Sequence, residues 1–447
     1  MIKRKIKLKP VTKIVIGFLS VIAFGTFLLC LPFSQQSGNW GNFIDMMFTS
    51  VSSVCVTGLS SVNVLLNFTT FGKIVILFLI QIGGLGFVAM TTFVFLILGK
   101  KITFEKRLTI KESLNQDNIQ GIVKLIKKII IFVFATEFIG TIVLSFSFIP
   151  MYGFWQGIAK SIFMSISAFC NAGFDVISYD SSSVSLFYNN PAILLPISFL
   201  VIIGGFGFLA LFEIPNLFKG KKLSLYSKLV ISLTLIFLIG GTFLFAVFEW
   251  NNADTIGNMS VWEKLLNSFF LSVNTRTAGF SSFSLSELSG GSIVVSYILM
   301  FIGGNSASTA GGLKLTTFFI LLLVIFKNLS NENNLVFCQK KISSKTINKC
   351  FKLLILALVY IMTSILIIST VEGLGIQEVL FEVISAYSTV GLSLGITSTL
   401  SVVSKLILML LMFAGRVGPL TLNFVVVKNS DNVLNNIEYP DSKIIVG

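Results

Sequence analysis

Four short segments of the chain end in glycine: Val56-Thr57-Gly58, Asn171-Ala172-Gly173, Thr277-Ala278-Gly279 and Thr389-Val390-Gly391. The glycines lie 115, 106 and 112 positions apart. These residue types carry no acid, base or nucleophile. They can instead turn backbone carbonyl oxygens toward a cation and replace its hydration shell. Glycine suits that task because it reaches dihedrals that a Cβ forbids. Thr57, Thr277 and Thr389 would add hydroxyl oxygens. The 447 residues contain no histidine, which excludes imidazole bases, Ser-His-Asp triads and histidine-ligated metals. The acids are scattered, and no nucleotide-binding motif is present. The sequence therefore points away from an enzyme.

A second glycine mark follows each of the first: Gly83-Gly84-Leu85-Gly86, Gly204-Gly205-Phe206-Gly207, Gly303-Gly304-Asn305 and Gly415-Arg416-Val417-Gly418. Two marks recurring in register over about 110 residues indicate an internal repeat. For Gly83, Gly84, Gly204 and Gly205, close packing against a neighbouring helix is the better reading, since small residues let membrane helices approach.

The elements that must position these segments are apolar. The chain is 54% hydrophobic and only 12% charged, where soluble domains carry about 25% charge. Apolar runs at Thr12–Leu31, Lys73–Leu98, Ile122–Ile149, Ala192–Ile214, Leu229–Phe248, Ile293–Phe326 (interrupted), Leu353–Thr370 and Leu406–Val427 approach or exceed the roughly 20 residues that cross a bilayer. This predicts an all-α polytopic membrane protein with eight transmembrane helices. Met1–Leu31 lacks a small-residue cleavage site and reads as a retained first helix. Of the 33 Lys and Arg residues, 26 fall at the N-terminus, in alternate connections and in the tail. Basic residues flank cytoplasmic ends, so both termini are expected to be cytoplasmic, and the net charge of +14 reflects topology, with no nucleic-acid partner. The five cysteines show no paired spacing.

Each repeat then reads helix, re-entrant half-helix, glycine segment, helix. Irregular backbone at membrane depth must be buried in protein or line a water-filled cavity. Four copies around one axis supply such a cavity, and the C-terminal ends of the half-helices carry partial negative charge toward it.

In these residues the chain resembles the Trk/Ktr/HKT superfamily of potassium transporters, from about Lys13 to Lys428, and most of all the membrane-spanning Ktr subunit. The resemblance rests on the four glycine loops, on Gly-Gly-Asn-Ser-Ala-Ser-Thr-Ala-Gly-Gly-Leu-Lys at 303–314, and on Gly415-Arg416-Val417-Gly418-Pro419-Leu420-Thr421. It implies one filter glycine per repeat, namely Gly58, Gly173, Gly279 and Gly391, with K+ held at the filter residues. In plant relatives serine at the first position accompanies sodium permeation, so Gly58 implies the potassium-selective type. Asn171 departs from the threonine-like pattern.

Gly303, Gly304, Asn305, Ser306, Ala307, Ser308, Thr309, Ala310, Gly311, Gly312 and Lys314 form a poor helix, with four glycines at about 1 kcal/mol each against alanine. The resemblance makes this segment an intramembrane gating loop below the filter. A Gly/Ser-rich packing face is the alternative. Lys314 either snorkels to the interface or faces a cavity. Arg416 is expected to face the pore and contact the gating segment, because a central membrane charge costs about 2.5–3.5 kcal/mol on insertion scales.

The expected divisions are 1–100, 101–217, 218–330 with the gating loop, 331–428, and a cytoplasmic tail at 429–447. The resemblance further implies a homodimer in the cell membrane and a cytoplasmic ring of nucleotide-binding RCK/KTN-type regulatory subunits, with no nucleotide on this chain and Na+ as a candidate activator. The alternatives are a sodium-permeable or poorly selective channel and an ion-coupled secondary transporter or symporter. The latter class usually carries midplane carboxylates. Here only Glu137 and Glu213 approach a span.

Overall fold

The computed structural model describes residues 10–98, 102–113, 120–177, 184–220, 222–306, 308–328, 336–337 and 340–418. Ala307, residues 419–428 and the tail at 429–447 lie outside them, as do parts of the basic connections.

The first quarter contains α1 (Pro10–Cys30), α2 (Phe43–Cys55), α3 (Val64–Asn67), α4 (Thr70–Leu85) and α5 (Phe87–Ile97). The second contains α6 (Phe104–Ser113), α7 (Ile122–Tyr152), α8 (Phe154–Cys170), α9 (Pro191–Phe206) and α10 (Phe208–Phe218). The third has α11 (Leu225–Glu249), α12 (Val261–Asn274), α13 (Gly290–Phe301) and α14 (Leu315–Asn328). The fourth has α15 (Ser344–Glu372), α16 (Ile376–Ser388) and α17 (Val402–Val417). Among the described residues one two-stranded ribbon breaks the all-helical pattern, pairing Val336 with Lys341 and Phe337 with Lys340.

The long helices α1, α7, α11 and α15 turn apolar side chains outward, among them Phe24, Phe138, Phe146, Phe243 and Leu366. Each precedes a shorter helix of 13, 17, 14 or 13 residues. At about 1.5 Å per residue these reach roughly 20–26 Å, short of a hydrocarbon core. Several helix starts are capped by side chains, which satisfies backbone N–H groups in an apolar setting. Thr69, Asn190, Ser289 and Ser401 accept from backbone N–H groups at the starts of α4, α9, α13 and α17. Ser260 and Glu263 form a capping box on α12.

One joint recurs three times. Ser50 Oγ donates to Ile22 O at 2.9 Å, Ser165 Oγ to Glu137 O at 2.7 Å, and Ser272 Oγ to Leu238 O at 2.9 Å. Three residues further along each long helix stands Gly25, Gly140 or Gly241, where a Cβ would come within 2.7, 2.5 and 2.5 Å of the same hydroxyl.

The continuous crossings expected over Lys73–Leu98 and Ala192–Ile214 are broken. α4 and α5 meet at 101°, and α9 and α10 at 102°. The breaks fall on Gly86 (φ +82°) and Gly207 (φ +94°), conformations that only glycine adopts freely. Gly418 (φ +93°) ends α17 in the same way. Among the described residues four helices are long and apolar enough to cross a membrane, or six if each bent pair is one span. The run Ile293–Phe326 is interrupted, as its glycines predict, between α13 and α14.

Candidate functional site

The four glycine segments share one unusual backbone. Among the described residues the non-glycine residues with positive φ are Val56 (58°), Asn171 (60°), Thr277 (85°) and Thr389 (51°). Each stands two positions before Gly58, Gly173, Gly279 or Gly391, which have φ of 95°, 68°, 79° and 94°. Three of the four non-glycine residues are β-branched, for which positive φ is a genuine outlier, and such strain costs about 1–3 kcal/mol each.

The preceding helices hold these loops. Ser52 Oγ accepts from Gly58 N, and Ser385 Oγ from Gly391 N, both at 3.1 Å. Ser167 Oγ donates to Phe174 O at 2.6 Å, and Asn274 Oδ1 accepts from Phe280 N at 3.2 Å. Each short helix ends just before its glycine, at Cys55, Cys170, Asn274 and Ser388, directing the negative ends of four helices to one place.

That place is a closed ring. A Cβ on Gly58 would lie 2.5 Å from Ala172 O, one on Gly173 2.7 Å from Ala278 O, and one on Gly279 2.5 Å from Val390 O. A Cβ on Gly391 would strike Thr57 O. Each glycine thus abuts the next loop in chain order, and the last returns to the first. All four border one cavity of about 390 Å³, lined also by Ser60, Ser61, Asp175, Ser281 and Ser393. Thr57 Oγ1 and Thr389 Oγ1 are buried without a hydrogen-bond partner among the described residues. Thr277 Oγ1 instead lies 3.3 Å from the Asn171 carboxamide of the neighbouring loop.

The second glycine marks pack beneath the ring. A Cβ on Gly83, Gly204 or Gly415 would strike Val54 O, Phe169 O or Tyr387 O, each carbonyl four residues before a loop glycine. Gly84 lies against Cys170, and Gly205 against the Asn171 side chain.

The described residues of 302–314 are not helical. Asn305 N and Thr309 N donate to Gly205 O and Gly204 O, each at 3.2 Å. Gly303 N donates to Leu313 O at 3.0 Å, and Leu315 N to Gly304 O at 3.2 Å. Ser308 Oγ donates to Asn305 O at 2.7 Å, and Ser306 O accepts from the Tyr226 hydroxyl at 2.8 Å. Gly311 and Gly312 pack against Thr389 and Ser388, at the start of the fourth loop. Lys314 turns back on the segment, its Nζ donating to Ala310 O at 2.5 Å. Arg416 donates to Thr309 O, to Gly83 O and, at 3.2 Å, to Gly84 O. It therefore joins this segment to the end of α4.

One partner and one residue were not singled out from the sequence: Gln81 beside Glu137, and Arg276. Gln81 Nε2 donates to both carboxylate oxygens of buried Glu137, at 3.0 and 3.2 Å, beside Cys170. Arg276 is buried in the third loop, three positions before Gly279. Counting back from each glycine would have exposed that odd cation. Cys30, Cys55, Cys170 and Cys350 are free thiols, and Cys338 lies outside the described residues.

The apolar helical body, with helices long enough to cross a membrane, brings four helix ends and four loops of positive-φ backbone to one cavity. Residues 8–436 match the model of the TrkH family, described as cation transport protein. The chain belongs to this family. It is 37% identical over 445 residues to the potassium/sodium uptake protein NtpJ of Enterococcus hirae, with 99% of this chain and 98% of that one covered. It is also 37% identical over 443 residues to the Ktr system potassium uptake protein B of Bacillus subtilis, with 99% and 98% covered. In fold it resembles the crystal structure of the potassium transporter TrkH from Vibrio parahaemolyticus, with a TM-score of 0.72, 17% identity, and 95% and 86% of the two chains covered.

Proposed function

We propose that the chain is the potassium-selective, ion-translocating membrane subunit of a bacterial K+ uptake system. The observation that carries this is the ring of four glycines, each abutting a carbonyl of the next loop. In this reading each quarter is one repeat, α2, α8, α12 and α16 are re-entrant pore helices, and eight crossings surround one pore with both termini cytoplasmic. The carbonyls of residues 56–58, 171–173, 277–279 and 389–391 take the place of a potassium ion's hydration shell, and the 390 Å³ cavity is the outer mouth.

Segment 303–314 acts as the gate, held under the filter by Arg416. The names of the relatives support potassium as the cargo. A homodimer, activation by sodium and control by a cytoplasmic nucleotide-binding ring docked on the basic connections complete the proposal. The Enterococcus relative, named a potassium/sodium uptake protein, keeps a sodium-permeable pore as the second reading.

Potassium, rubidium and sodium uptake in a strain lacking its own potassium uptake separates the two readings. The primary reading requires potassium to be preferred. Arg416→Ala and a deletion of 305–310 are expected to change potassium flux by roughly tenfold or more, the scale of a buried charged hydrogen bond. Flux unchanged in both removes the gate assignment.

A further inference from the structure

Three residues before each loop glycine stand Cys55, Cys170, Arg276 and Ser388. All four are buried, Arg276 being 9% exposed. Gly84 lies against Cys170, and Gly312 against Ser388. Arg276 borders, with Gly205, Gly304, Thr234 and Val273, a cavity of about 20 Å³. Three small side chains and one guanidinium thus share a single structural position.

Arg276 belongs to neither ion pair found among the described residues, Lys13–Glu105 and Lys405–Asp45. Its Nη1 donates to Thr234 O at 3.4 Å, and its Nε has no acceptor among the described residues. On the other side of Thr234, Asn305 Nδ2 donates to Thr234 Oγ1 at 3.2 Å and reaches Gly205 O at 3.4 Å. Asn305 Oδ1 is buried without a donor among the described residues. A donor wanting an acceptor and an acceptor wanting a donor therefore flank Thr234.

We propose that Arg276 is a positioning residue that couples the third glycine loop to the 302–314 segment through Thr234, whose carbonyl accepts from Arg276 and whose hydroxyl accepts from Asn305. The proposal rests on the reading of those two elements as filter and gate. The guanidinium cannot shed its proton, so it stays a donor to Thr234 O wherever the segment goes. Moving Asn305 away leaves the Thr234 hydroxyl without this donor, and the strain falls on the loop that carries Arg276. No other loop has a cation at this register, so the coupling enters the ring through the third loop.

The full-length chain, expressed in cells lacking their own potassium uptake, gives two readouts. Total uptake reports the gate, and the Rb+/K+ ratio reports the filter. Asn305→Ala is expected to change total uptake and to shift the ratio by about threefold, within the range for residues sharing one network. In an Arg276→Gln background the same substitution is expected to leave the ratio unmoved. Arg276→Lys, which lacks the fork, is expected to behave as Arg276→Gln does. Thr234→Val removes the hydroxyl but keeps the carbonyl and tests the same link if the arginine variants do not yield monodisperse protein. An equal ratio shift with and without Arg276, or with and without the Thr234 hydroxyl, overturns the coupling. Total uptake unaffected by Asn305→Ala overturns instead the gate reading on which the coupling stands.

Discussion

What the four glycine positions cannot hold is a side-chain carbon. At Gly58 the backbone sits at φ +95° and a Cβ would press on Ala172 O. Gly58→Ser must therefore move the carbonyl of a neighbouring loop as well as its own. The expected outcome is a fall in preference for potassium over sodium of about tenfold, equivalent to roughly 1.4 kcal/mol of relative binding, measured by competitive uptake. Retained preference would count against carbonyl coordination. These glycines were legible in the sequence because four copies in register are hard to obtain by chance. The left-handed Val56, Asn171, Thr277 and Thr389 were not, since nothing in a valine or threonine announces a positive φ that surrounding structure imposes. Arg276 was overlooked because its meaning lies in register with Cys55, Cys170 and Ser388, which differ from it in every property except place.

At the scale of elements, the serine–glycine joints fix three of the four short helices against their long ones. Adjacent glycines in α11 separate packing from propensity. A Cβ on Gly240 meets nothing within 4 Å, whereas one on Gly241 would lie 2.5 Å from Ser272 Oγ. Gly240→Ala is expected to leave thermal stability in detergent unchanged or raised by up to about 1 kcal/mol, and Gly241→Ala to lower it. Equal effects would show that the joint carries no weight. Ser165→Ala removes one hydrogen bond of the second joint and is expected to cost about 0.6–1 kcal/mol by the same measurement. The apolar runs made the helices readable, but not their breaks. The glycines at 83 and 204 pack while those at 86 and 207 bend the chain, and a one-dimensional pattern does not assign those two tasks.

For the whole molecule, closure of the ring depends on contacts between the two ends of the chain. Lys405 Nζ pairs with Asp45 Oδ1 at 2.9 Å with both side chains largely covered, 12% and 20% exposed. Arg416 likewise reaches Gly83 and Gly84. Asp45→Asn and Lys405→Met are each expected to destabilise the protein by about 1 kcal/mol, and the double variant by no more than either single one. Additive losses would mean that the two residues act separately.

The sequence by itself determined the apolar helical body, the fourfold recurrence of glycine and the segment where helix fails. Each of these is written in local composition and spacing, which act before any long-range contact forms. Only the tertiary structure decided that the four loops close on one cavity, that Arg416 and Lys314 turn to the same irregular segment, and that Arg276 lies beside Thr234 and Asn305. Those facts depend on residues tens to hundreds of positions apart meeting in a close-packed interior, where the space left by one side chain fixes what its neighbour can be.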